Sequence, residues 1–551
     1  MKNKFKAKRG DFGNNRKEKF DRRDKFKGFE RKPMPESMDL GEVSLEYKDR
    51  DLILTGIIDQ IEQTGGPTVF HLSDGTGMLA LKAFDGAGVR AHPELNIGDA
   101  INTIVTVQEY NGELEGEISK VTKLDESKKK EILDNVIRLQ RERAKVKPIP
   151  FLVEDPILEK LKESFVKAAT EIKFAIIQNR PVVIRHHNDT DGYSSGFALE
   201  RAILPLIVKQ HNSIKSAWEF YTRSPCAAPM YEIDDSIRDT AHSLSRAAKF
   251  SNKMPLVLIV DTGSGEKDLL GIKQGKVHGI DFIVVDHHAF DEDLISKEVL
   301  VHINPFLVGE DGTKFSAGML CTELARFINQ DPNLNVTQIP AMAGIADRVD
   351  NPKALDAYLK IAEKKGYNKQ LLADISTVID FISAKLRFME AREYIEVLFG
   401  EPMNRQKALV ALLAPYIRDL ESKGLEIARG AAKMEEVFGV TLQILEIENT
   451  FARGFYPKPG KCISMLHDYE YEQKKNHKLV SIGMMNDAIT MRASAESNFS
   501  VNELVDYLQK NLPGAFVEGG GHKYAGSIRF LPSKKDDIVK SIKAYIKKII
   551  K

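Results

Sequence analysis

Three apolar runs, each followed directly by acidic or histidine residues, constrain the fold of this chain most. The runs cover residues 182–184, 256–260 and 282–285 and are rich in Val and Ile. Such continuous apolar runs are typical of strands that are buried on both faces of a parallel sheet. The segments between them are long enough for crossover helices. The sequence therefore predicts an α/β domain built on a parallel sheet.

The polar groups that follow the three runs are expected to meet at one edge of that sheet. They are His187, Asp189 and Asp191 after the first run, Asp261 after the second, and Asp286, His287 and His288 after the third. A single acid after a strand is most often a turn or a helix cap, but three such strands are harder to explain locally. Carboxylates gathered without Lys or Arg repel one another, and a divalent cation relieves that repulsion. Ligands bind at this edge of parallel sheets, so the pattern predicts a metal centre.

The kind of metal follows from the ligand types. Mixed carboxylate and imidazole groups suit manganese or another first-row metal better than calcium, and magnesium or cobalt is the alternative. Residues 187–192 faintly resemble the start of a calcium-binding EF-hand loop. That loop requires Glu at its twelfth position, where this chain has Ala198, and a helix instead of a strand before it. An EF-hand is therefore rejected.

The order and spacing of these residues resemble the DHH phosphoesterase superfamily. Its members include RecJ-like single-strand exonucleases, oligoribonucleases, cyclic-dinucleotide phosphodiesterases and family II inorganic pyrophosphatases. Four further segments carry the resemblance: Gly344-Ile345-Ala346-Asp347, Asn304-Pro305, Ser316-Ala317-Gly318 and Gly519-Gly520-Gly521-His522. The last of these matches the signature of the DHH-associated C-terminal domain. The resemblance covers about residues 180–350 and 435–535.

The resemblance implies two divalent metals that activate a water and hold the substrate phosphate. The implied ligands are His187, Asp189, Asp191, His287 and Asp347, with Asp261 as the bridge. Asp286 would orient the neighbouring histidines, and His288 would donate to a phosphate oxygen or to the leaving group. The implied catalytic set is therefore Asp261, Asp286 and His288.

The segment that follows the first apolar run differs from part of the family at His187. Bacterial RecJ-like members have Asp at the position of His187, whereas many archaeal ones have His. His186 competes for the ligand role, although a packing histidine is the favoured interpretation.

The C-terminal signature predicts a substrate-holding loop. Glycines let backbone amides approach a phosphate closely, and Arg492 and His522 can add charged or polar donors. The predicted substrate contacts are Arg492, Gly519, Gly520, Gly521 and His522. The alternative is a tight turn that a histidine caps.

The region before the catalytic motifs predicts a small β-barrel. Residues 40–124 hold about five short strands separated by glycine-rich turns, and they resemble the nucleic-acid-binding OB-fold of archaeal RecJ-like proteins. Phe70 and Phe84 are predicted to stack on bases, and Arg90 and Tyr110 are further candidates. The alternative is that these residues belong to the barrel core.

A net charge of +1 hides a basic N-terminal segment. Residues 2–32 are crowded with Lys and Arg and interleaved with five Phe, which predicts a disordered tail suited to phosphates and unstacked bases. A solubilising or localising tail is the alternative. The expected organisation is a tail (1–38), an OB-fold (39–125), a linker helix (126–150), the DHH domain (151–354), a helical connector (355–432) and the DHH-associated domain (433–551).

Composition places the chain in the cytoplasm. Its three cysteines are far apart, its N-terminus lacks the apolar core of a secretory signal, and no apolar run reaches the length of a membrane span. The leading hypothesis is a single-strand exonuclease that acts on DNA or RNA from the 5′ end, releases 5′-mononucleotides and works beside replication or repair proteins. Alternatives are an oligoribonuclease, a cyclic-dinucleotide phosphodiesterase, and a non-catalytic replisome-associated factor. The sequence predicts no role for residues 224–239.

Overall fold

A computed structural model describes residues 34–110, 112–211, 213–250, 253–386, 392–474 and 476–550. The predictions made for residues 1–33 lie outside these ranges. Within them, the chain builds a closed β-barrel, a parallel sheet flanked by helices, and a mixed sheet flanked by helices. The predicted fold class is therefore confirmed, whereas the exact domain boundaries stay a prediction.

The N-terminal sheet closes into a barrel. Its strands are β1 (Glu36–Ser37), β2 (Asp51–Gln63), β3 (Thr68–Ser73), β4 (Met78–Ala83), β5 (Ala100–Tyr110) and β6 (Glu113–Lys123). β2 pairs with β3 at one end and with β5 at the other, and β6 joins β4 to β5. Alternate residues of β2, such as Leu52 and Leu54, point into the barrel core.

The predicted apolar runs form the centre of the parallel sheet. Its strands are β7 (Val182–His186), β8 (Tyr221–Pro225), β9 (Leu256–Val260), β10 (Asp281–Val285) and β11 (Val301–Ile303), in the order β11-β10-β9-β7-β8. All four pairings are parallel. Every residue of β7 and β9 is buried, because helices cover both faces of the sheet.

Helices precede, surround and follow this sheet. They are α1 (Glu126–Ala144), α2 (Pro156–Ile177), α3 (Thr190–His211), α4 (Ser216–Glu219), α5 (Ile233–Phe250), α6 (Glu266–Val277), α7 (Ala317–Ile328), α8 (Ile339–Ala346), α9 (Pro352–Glu363), α10 (Lys369–Leu386), α11 (Arg392–Leu398) and α12 (Met403–Ala431). α2 illustrates the local logic: Asp155 caps its first turn, Pro156 starts it, and Leu158, Leu161 and Phe165 face the core. One hydrophobic core joins α2, the sheet and the helices from α7 to α12.

The C-terminal region has a core of its own. Its elements are β12 (Lys433–Val437), β13 (Val440–Glu446), α13 (Ile447–Thr450), α14 (Pro459–Gln473), β14 (Leu479–Met484), β15 (Ala488–Ala493), α15 (Val501–Asn511), β16 (Glu518–His522), β17 (Ala525–Arg529) and α16 (Lys535–Ile550). The strand order is β12-β13-β14-β15-β17-β16, so the glycine-rich β16 is an edge strand.

Short 3-10 segments complete the described chain, at Leu40–Glu42, Leu45–Tyr47, Pro305–Val308, Gly312–Lys314, Ala495–Ser497, Pro513–Ala515 and Pro532–Lys534. In the ranges that the structure describes, no helix combines the length and apolar character needed to cross a bilayer.

Candidate metal centre

The loops after β7, β9 and β10 bring the predicted ligands to one edge of the parallel sheet. β9 lies between β7 and β10, in register with both. Asp261 directly follows β9, and its φ of 59° turns the chain away from the strand direction. Asp189 and His287 lie in the loops after the two neighbouring strands. Because these strands end side by side, side chains from three separate segments meet in one small volume.

Three groups of side chains could each hold a metal ion. Within a group, each residue offers one nitrogen or oxygen atom, and these atoms lie within 4.8 Å of one another. The groups are His187 with Asp189 and Asp261, Asp191 with His287 and Asp347, and Asp261 with His287 and His288. Asp261 and His287 each belong to two groups, so the residues form one continuous cluster. All six predicted ligands lie in this cluster, and their role as ligands stays a prediction.

Asp261 occupies the centre of the cluster. Its Oδ2 lies 3.7 Å from His187 Nδ1, and its Oδ1 lies 3.4 Å from His287 Nε2. The residue is 2% exposed, and its Oδ2 has no hydrogen-bond partner among the described residues. A carboxylate whose two oxygens face two different sets of ligands is suited to bridge two cations.

Asp191 is held in place by the start of a helix. Its Oδ2 accepts a hydrogen bond from the Ala317 amide and its Oδ1 accepts one from the Gly318 amide, both at 2.9 Å, in the first turn of α7. A Cβ on Gly318 would lie 2.8 Å from Asp191 Oδ1 and 2.6 Å from the Ala343 Cβ. The glycine at this position therefore lets the helix N-terminus approach the carboxylate.

Asp347 is the C-cap residue of α8 and closes the second group. Its Oδ2 lies 3.7 Å from His287 Nδ1, while Asp191 Oδ2 lies 3.9 Å from His287 Nε2. Burial raises the pKa of Asp347 to about 6, and burial together with Asp261 raises the pKa of Asp191 well above its usual value.

The pKa values of two histidines of the cluster, His187 and His287, are also raised, but for a different reason. Burial disfavours the charged form of His187 and His287, yet the surrounding carboxylates outweigh it and raise both pKa values well above the usual range. Protons thus fill the role that cations would take. Neither Asp191 nor Asp261 has a Lys or Arg within ion-pair distance among the described residues. This donor chemistry and the unpartnered Asp261 Oδ2 fit divalent cations.

Asp286 belongs to none of the three groups and lies behind them. It accepts hydrogen bonds from the backbone amides of Ser264, His287 and His288, and its Oδ1 lies 2.7 Å from His288 Nδ1. Burial opposes ionisation of His288, but the Asp286 carboxylate outweighs it and raises the pKa of His288. The geometry agrees with an orienting role for Asp286, as the resemblance implies.

His186 does not reach the cluster. It is completely buried, its Nδ1 lies 2.7 Å from the His187 carbonyl oxygen, and its ring packs edge-on against Tyr193. Burial lowers the pKa of His186 to about 3, so the ring is neutral. These contacts favour the packing interpretation of this histidine.

A hydrogen-bond chain that sequence reasoning missed supports the loop between Asp189 and Asp191. Asp380 Oδ1 on α10 accepts from the Thr190 backbone amide at 3.0 Å and from the Thr190 hydroxyl at 2.7 Å. Ser383, one turn further along α10, accepts at 3.3 Å from Lys458 Nζ, which also lies 3.5 Å from the Asn188 carbonyl oxygen. No sequence signal links these segments, because 190 residues separate Thr190 from Asp380.

The C-terminal region presents cations towards the cluster. The Arg492 guanidinium donates to Ser464 Oγ at 2.8 Å and interacts electrostatically with Asp347 and Arg348. Arg348 itself lies 3.0 Å from Asp468, so one ion pair spans the two regions beside Asp347. Arg492 therefore lies on the side of the cluster formed by Asp347, and its contact with a phosphate stays a prediction.

The predicted glycine loop is an extended edge strand instead of a tight turn. Gly519, Gly520 and Gly521 have φ values of 155°, 159° and 149°, and a Cβ on Gly519 would collide with the Ser527 carbonyl oxygen. A Cβ on Gly520 would lie 3.9 Å from Lys267 Nζ, so this strand faces α6 of the parallel-sheet region. The His522 side chain lies outside what the structure describes.

The two aromatic contacts predicted on the barrel differ in outcome. Phe70 is 0% exposed and lies in the barrel core, so the prediction that it stacks on a base is wrong. Phe84 is 65% exposed and Tyr110 is 59% exposed, with Lys82 Nζ 4.3 Å from the Tyr110 ring centroid. Arg90 donates to the Leu95 carbonyl oxygen at 2.7 Å.

Comparison with known proteins places this site in a family. Residues 181–345 match the DHH family, N-terminal domain. An uncharacterised protein of Methanocaldococcus jannaschii is 33% identical over 535 residues, which span 92% of this chain and 70% of that protein.

One solved structure supports the same family and has a similar fold. A DHH domain from a protein described as a member of a family of ribosomal proteins is 33% identical, with a TM-score of 0.72 over 78% of this chain and 99% of that chain. RecJ with Mn2+ from Thermus thermophilus is 16% identical, with a TM-score of 0.49 over 73% of this chain and 56% of that chain. The second overlap is too loose to carry an argument about activity.

Proposed function

Because this chain belongs to the DHH family, we propose that it is a metal-dependent phosphodiesterase that removes nucleotides from the end of single-stranded DNA or RNA. The observation that carries the proposal is that Asp261 and His287 each belong to two of the three groups of ligand-type side chains, so the groups form one cluster. We propose that cleavage runs from the 5′ end and releases 5′-mononucleotides.

His187, Asp189, Asp191, His287 and Asp347 would hold two divalent cations, with Asp261 between them. Manganese suits this mixture of carboxylates and imidazoles best. When bound, such a pair supplies an activated water and neutralises charge on the phosphate.

The remaining residues act on the substrate. The Asp286 carboxylate raises the pKa of His288 and so favours its protonated form, from which His288 would donate to a phosphate oxygen or to the leaving oxygen. Arg492, on the side of Asp347, and the glycine strand, which faces α6, would hold the phosphodiester backbone.

The test is a hydrolysis assay on single-stranded DNA and RNA. Oligomers from two to about 40 nucleotides long, labelled at the 5′ or the 3′ end, are incubated with manganese, magnesium or cobalt. We expect manganese to support release of labelled mononucleotides from the 5′ end of long oligomers. Asp261→Asn is the matched control. If the wild-type protein leaves every oligomer intact with each metal, the proposal is wrong.

A second candidate is favoured by the charge of the barrel. Residues 39–125 contain 16 Asp and Glu against six Lys and Arg, which does not suit a long phosphate backbone. An oligoribonuclease that cleaves dinucleotides and other short products would not need the barrel as a substrate surface. Rapid hydrolysis of dinucleotides beside intact long oligomers would favour this candidate.

A further inference from the structure

The outer surface of the barrel has the wrong charge for nucleic acid. The surface of the second and third barrel strands is the usual ligand surface of OB-folds, and here these strands are β3 and β4. Around them lie exposed carboxylates: Glu62 on β2, and Glu113 and Glu117 on β6. We call these three residues, with the exposed Tyr110 and Phe84, the acidic patch.

The strand register places the acidic patch along one row of cross-strand partners on the outside of the barrel. Glu62 is the cross-strand partner of Val69, Val69 of Lys82, and Lys82 of Glu117. Glu113 lies on the same side of β6 as Glu117, and it pairs with Tyr110. The patch therefore runs across four neighbouring strands.

The basic side chains within this surface, Lys82 and His71, already have partners in the barrel. Lys82 forms an ion pair with Glu115 and lies over the Tyr110 ring. His71 Nε2 lies 3.5 Å from Glu62 Oε1. Glu113 forms no ion pair with any described residue, and the Glu117 carboxylate accepts only a neutral hydrogen bond, from Gln108 Nε2 at 2.6 Å. The patch as a whole is left negative.

A segment of the same chain has the complementary composition. Residues 1–33 contain 14 Lys and Arg against five Asp and Glu, with five Phe interleaved. Lys and Arg pair with the carboxylates, and they also bind aromatic faces such as Tyr110 and Phe84. The Phe side chains can stack on the same two rings.

This segment is also attached beside the acidic patch. The described chain begins at Met34, and Glu36 and Ser37 pair with Leu52 and Ile53 of β2. The neighbouring residue of β2, Asp51, is the partner of Thr106, which is in turn the partner of Glu117. A chain of 33 residues spans up to about 110 Å when extended, so it can reach every part of the patch.

We propose that the acidic patch is the docking surface for the basic segment 1–33 of the same chain. A docked segment is withheld from nucleic acid, so a polyanion must compete with the barrel for it. The barrel would then control access to the basic segment instead of binding the substrate itself. This proposal does not depend on the hydrolytic activity proposed above.

Photocrosslinking in the full chain tests the proposal. Phe20→p-benzoylphenylalanine places a photoreactive group in the basic segment, and mass spectrometry identifies the peptides that it captures after irradiation. We expect capture of peptides from β2 to β6. Exposed ion pairs are screened by salt, so the yield should fall as the ionic strength rises from about 0.05 to 0.5 M.

Two variants with the same change in net charge separate docking from general attraction. Glu62→Gln, Glu113→Gln and Glu117→Gln together should lower the crosslinking yield by about threefold to tenfold. The matched control replaces three exposed acids of the barrel outside the patch: Glu42→Gln, Glu46→Gln and Glu94→Gln. Its yield should stay close to that of the unmodified barrel. Equal losses in both variants, or capture of peptides from other regions, would overturn the proposal.

Isotope labelling distinguishes a basic segment of the same chain from one that belongs to a second copy. A mixture of 15N-labelled and unlabelled chains should give crosslinked peptides of one isotope only. Crosslinks of mixed isotope would show a segment from a second copy and would contradict docking within one chain. In addition, the patch variant should bind a single-stranded oligomer more tightly than the control variant, because its basic segment is released.

Discussion

Two clusters of buried charged groups lie at the same edge of the parallel sheet, and the chain balances their charge differently. In one cluster, Arg185 on β7 lies with its Nε 3.0 Å from both carboxylate oxygens of Asp239, and with its Nη1 3.6 Å from Asp235. The Tyr231 hydroxyl donates to Asp239 at 3.1 Å. In the other cluster, the ion-pair partners of Asp191, Asp261 and Asp347 among the described residues are all histidines.

The difference between the clusters indicates their roles. A guanidinium completes the Arg185 cluster, so its charges are compensated by the chain and it contributes to the fold. Each cluster retains a buried carboxylate oxygen without a hydrogen-bond partner among the described residues, Asp235 Oδ1 in the first and Asp261 Oδ2 in the second. The Asp235 oxygen lies within 4 Å of two arginines, Arg185 and Arg238, whereas the Asp261 oxygen has no described arginine or lysine at that distance. Buried carboxylates without a counter-charge are costly. The chain therefore tolerates that cost where a divalent cation can supply the missing charge.

The largest expected effect is the loss of metal binding in Asp261→Asn. Asn keeps the shape and tolerates the positive φ of this position, but it removes the charge that faces both groups. We expect hydrolysis and manganese affinity to fall by about a thousandfold or more. The melting temperature of the metal-free variant should change little, because the loss of repulsion with Asp191 offsets the loss of attraction to His187 and His287. Calorimetric titration measures the manganese affinity, and thermal unfolding measures the melting temperature. A markedly lower melting temperature would show that the Asp261 charge stabilises the metal-free fold, as the charges of the Arg185 cluster do.

The second effect is a loss of stability in Arg185→Met. Removing the guanidinium leaves Asp239 buried without its partner, which should lower the free energy of unfolding by about 3–5 kcal/mol. Denaturant unfolding in the presence of a chelator measures it. The control is Arg185→Met with Asp239→Leu, which removes both partners of this ion pair, leaves Asp235 beside Arg238, and should recover most of the stability. Equal destabilisation of the single and double variants would show that packing, and not charge, holds this cluster.

A third, smaller effect is expected at Asp380, which holds the loop between Asp189 and Asp191 through Thr190. Asp380→Leu removes the acceptor of both Thr190 hydrogen bonds and should lower manganese affinity by about 10–100-fold. Asp380→Asn keeps an oxygen in the same place and should restore most of that affinity. Binding measured by titration of the folded variants distinguishes them. Equal affinities of the Leu and Asn variants would show that these hydrogen bonds do not position the metal loop.

The smallest effect is a pH dependence of stability that metal should suppress. The raised pKa values of Asp191 and Asp347 mean that the folded metal-free protein holds protons which the unfolded chain releases near pH 4. Since the native state binds more protons in this window, stability should fall as the pH rises from about 4 to 6. His187 and His287 should extend the fall above pH 6.5 in the same sense.

Thermal unfolding with chelator and with excess manganese isolates this contribution. The Arg185 cluster is present in both samples, so it cancels in the difference between the two curves. The stabilisation by manganese should grow as the pH rises, because cations and protons compete for the same ligands. A difference that does not change with pH would contradict the assignment of these residues as ligands.

The sequence predicted the cluster of acidic and histidine side chains around Asp261 because its signals are local. Each apolar run ends at the residues that matter, and parallel strands bring their ends together whatever the details of the connections. The Arg185 cluster gave no such signal. Arg185 lies inside β7, and its partner Asp239 lies 54 residues away on α5, at the end of the segment for which the sequence predicted no role.

The error at Phe70 has a different cause. Adjacent residues of a strand point to opposite sides, so a shift of one residue exchanges core and surface. Phe70 and Leu72 point into the barrel, whereas His71 between them is partly exposed. The pattern of a short strand with several apolar residues did not determine which side faced the core.

The contact between Thr190 and Asp380 has a consequence for the order in which the protein is made. Ribosomes add about 5–20 residues each second, so the 190 residues between them take about 10–40 s to synthesise. Lys458 reaches the same loop only after 270 residues. Once Asp347 has been added, the nascent chain carries all six predicted ligands, but the hydrogen bonds from Thr190 to Asp380, which fix the loop of Asp189 and Asp191, do not yet exist. A metal captured at that stage would be held by a looser site than the finished protein would offer, so we expect the loop to reach its final geometry only after α10 has been synthesised.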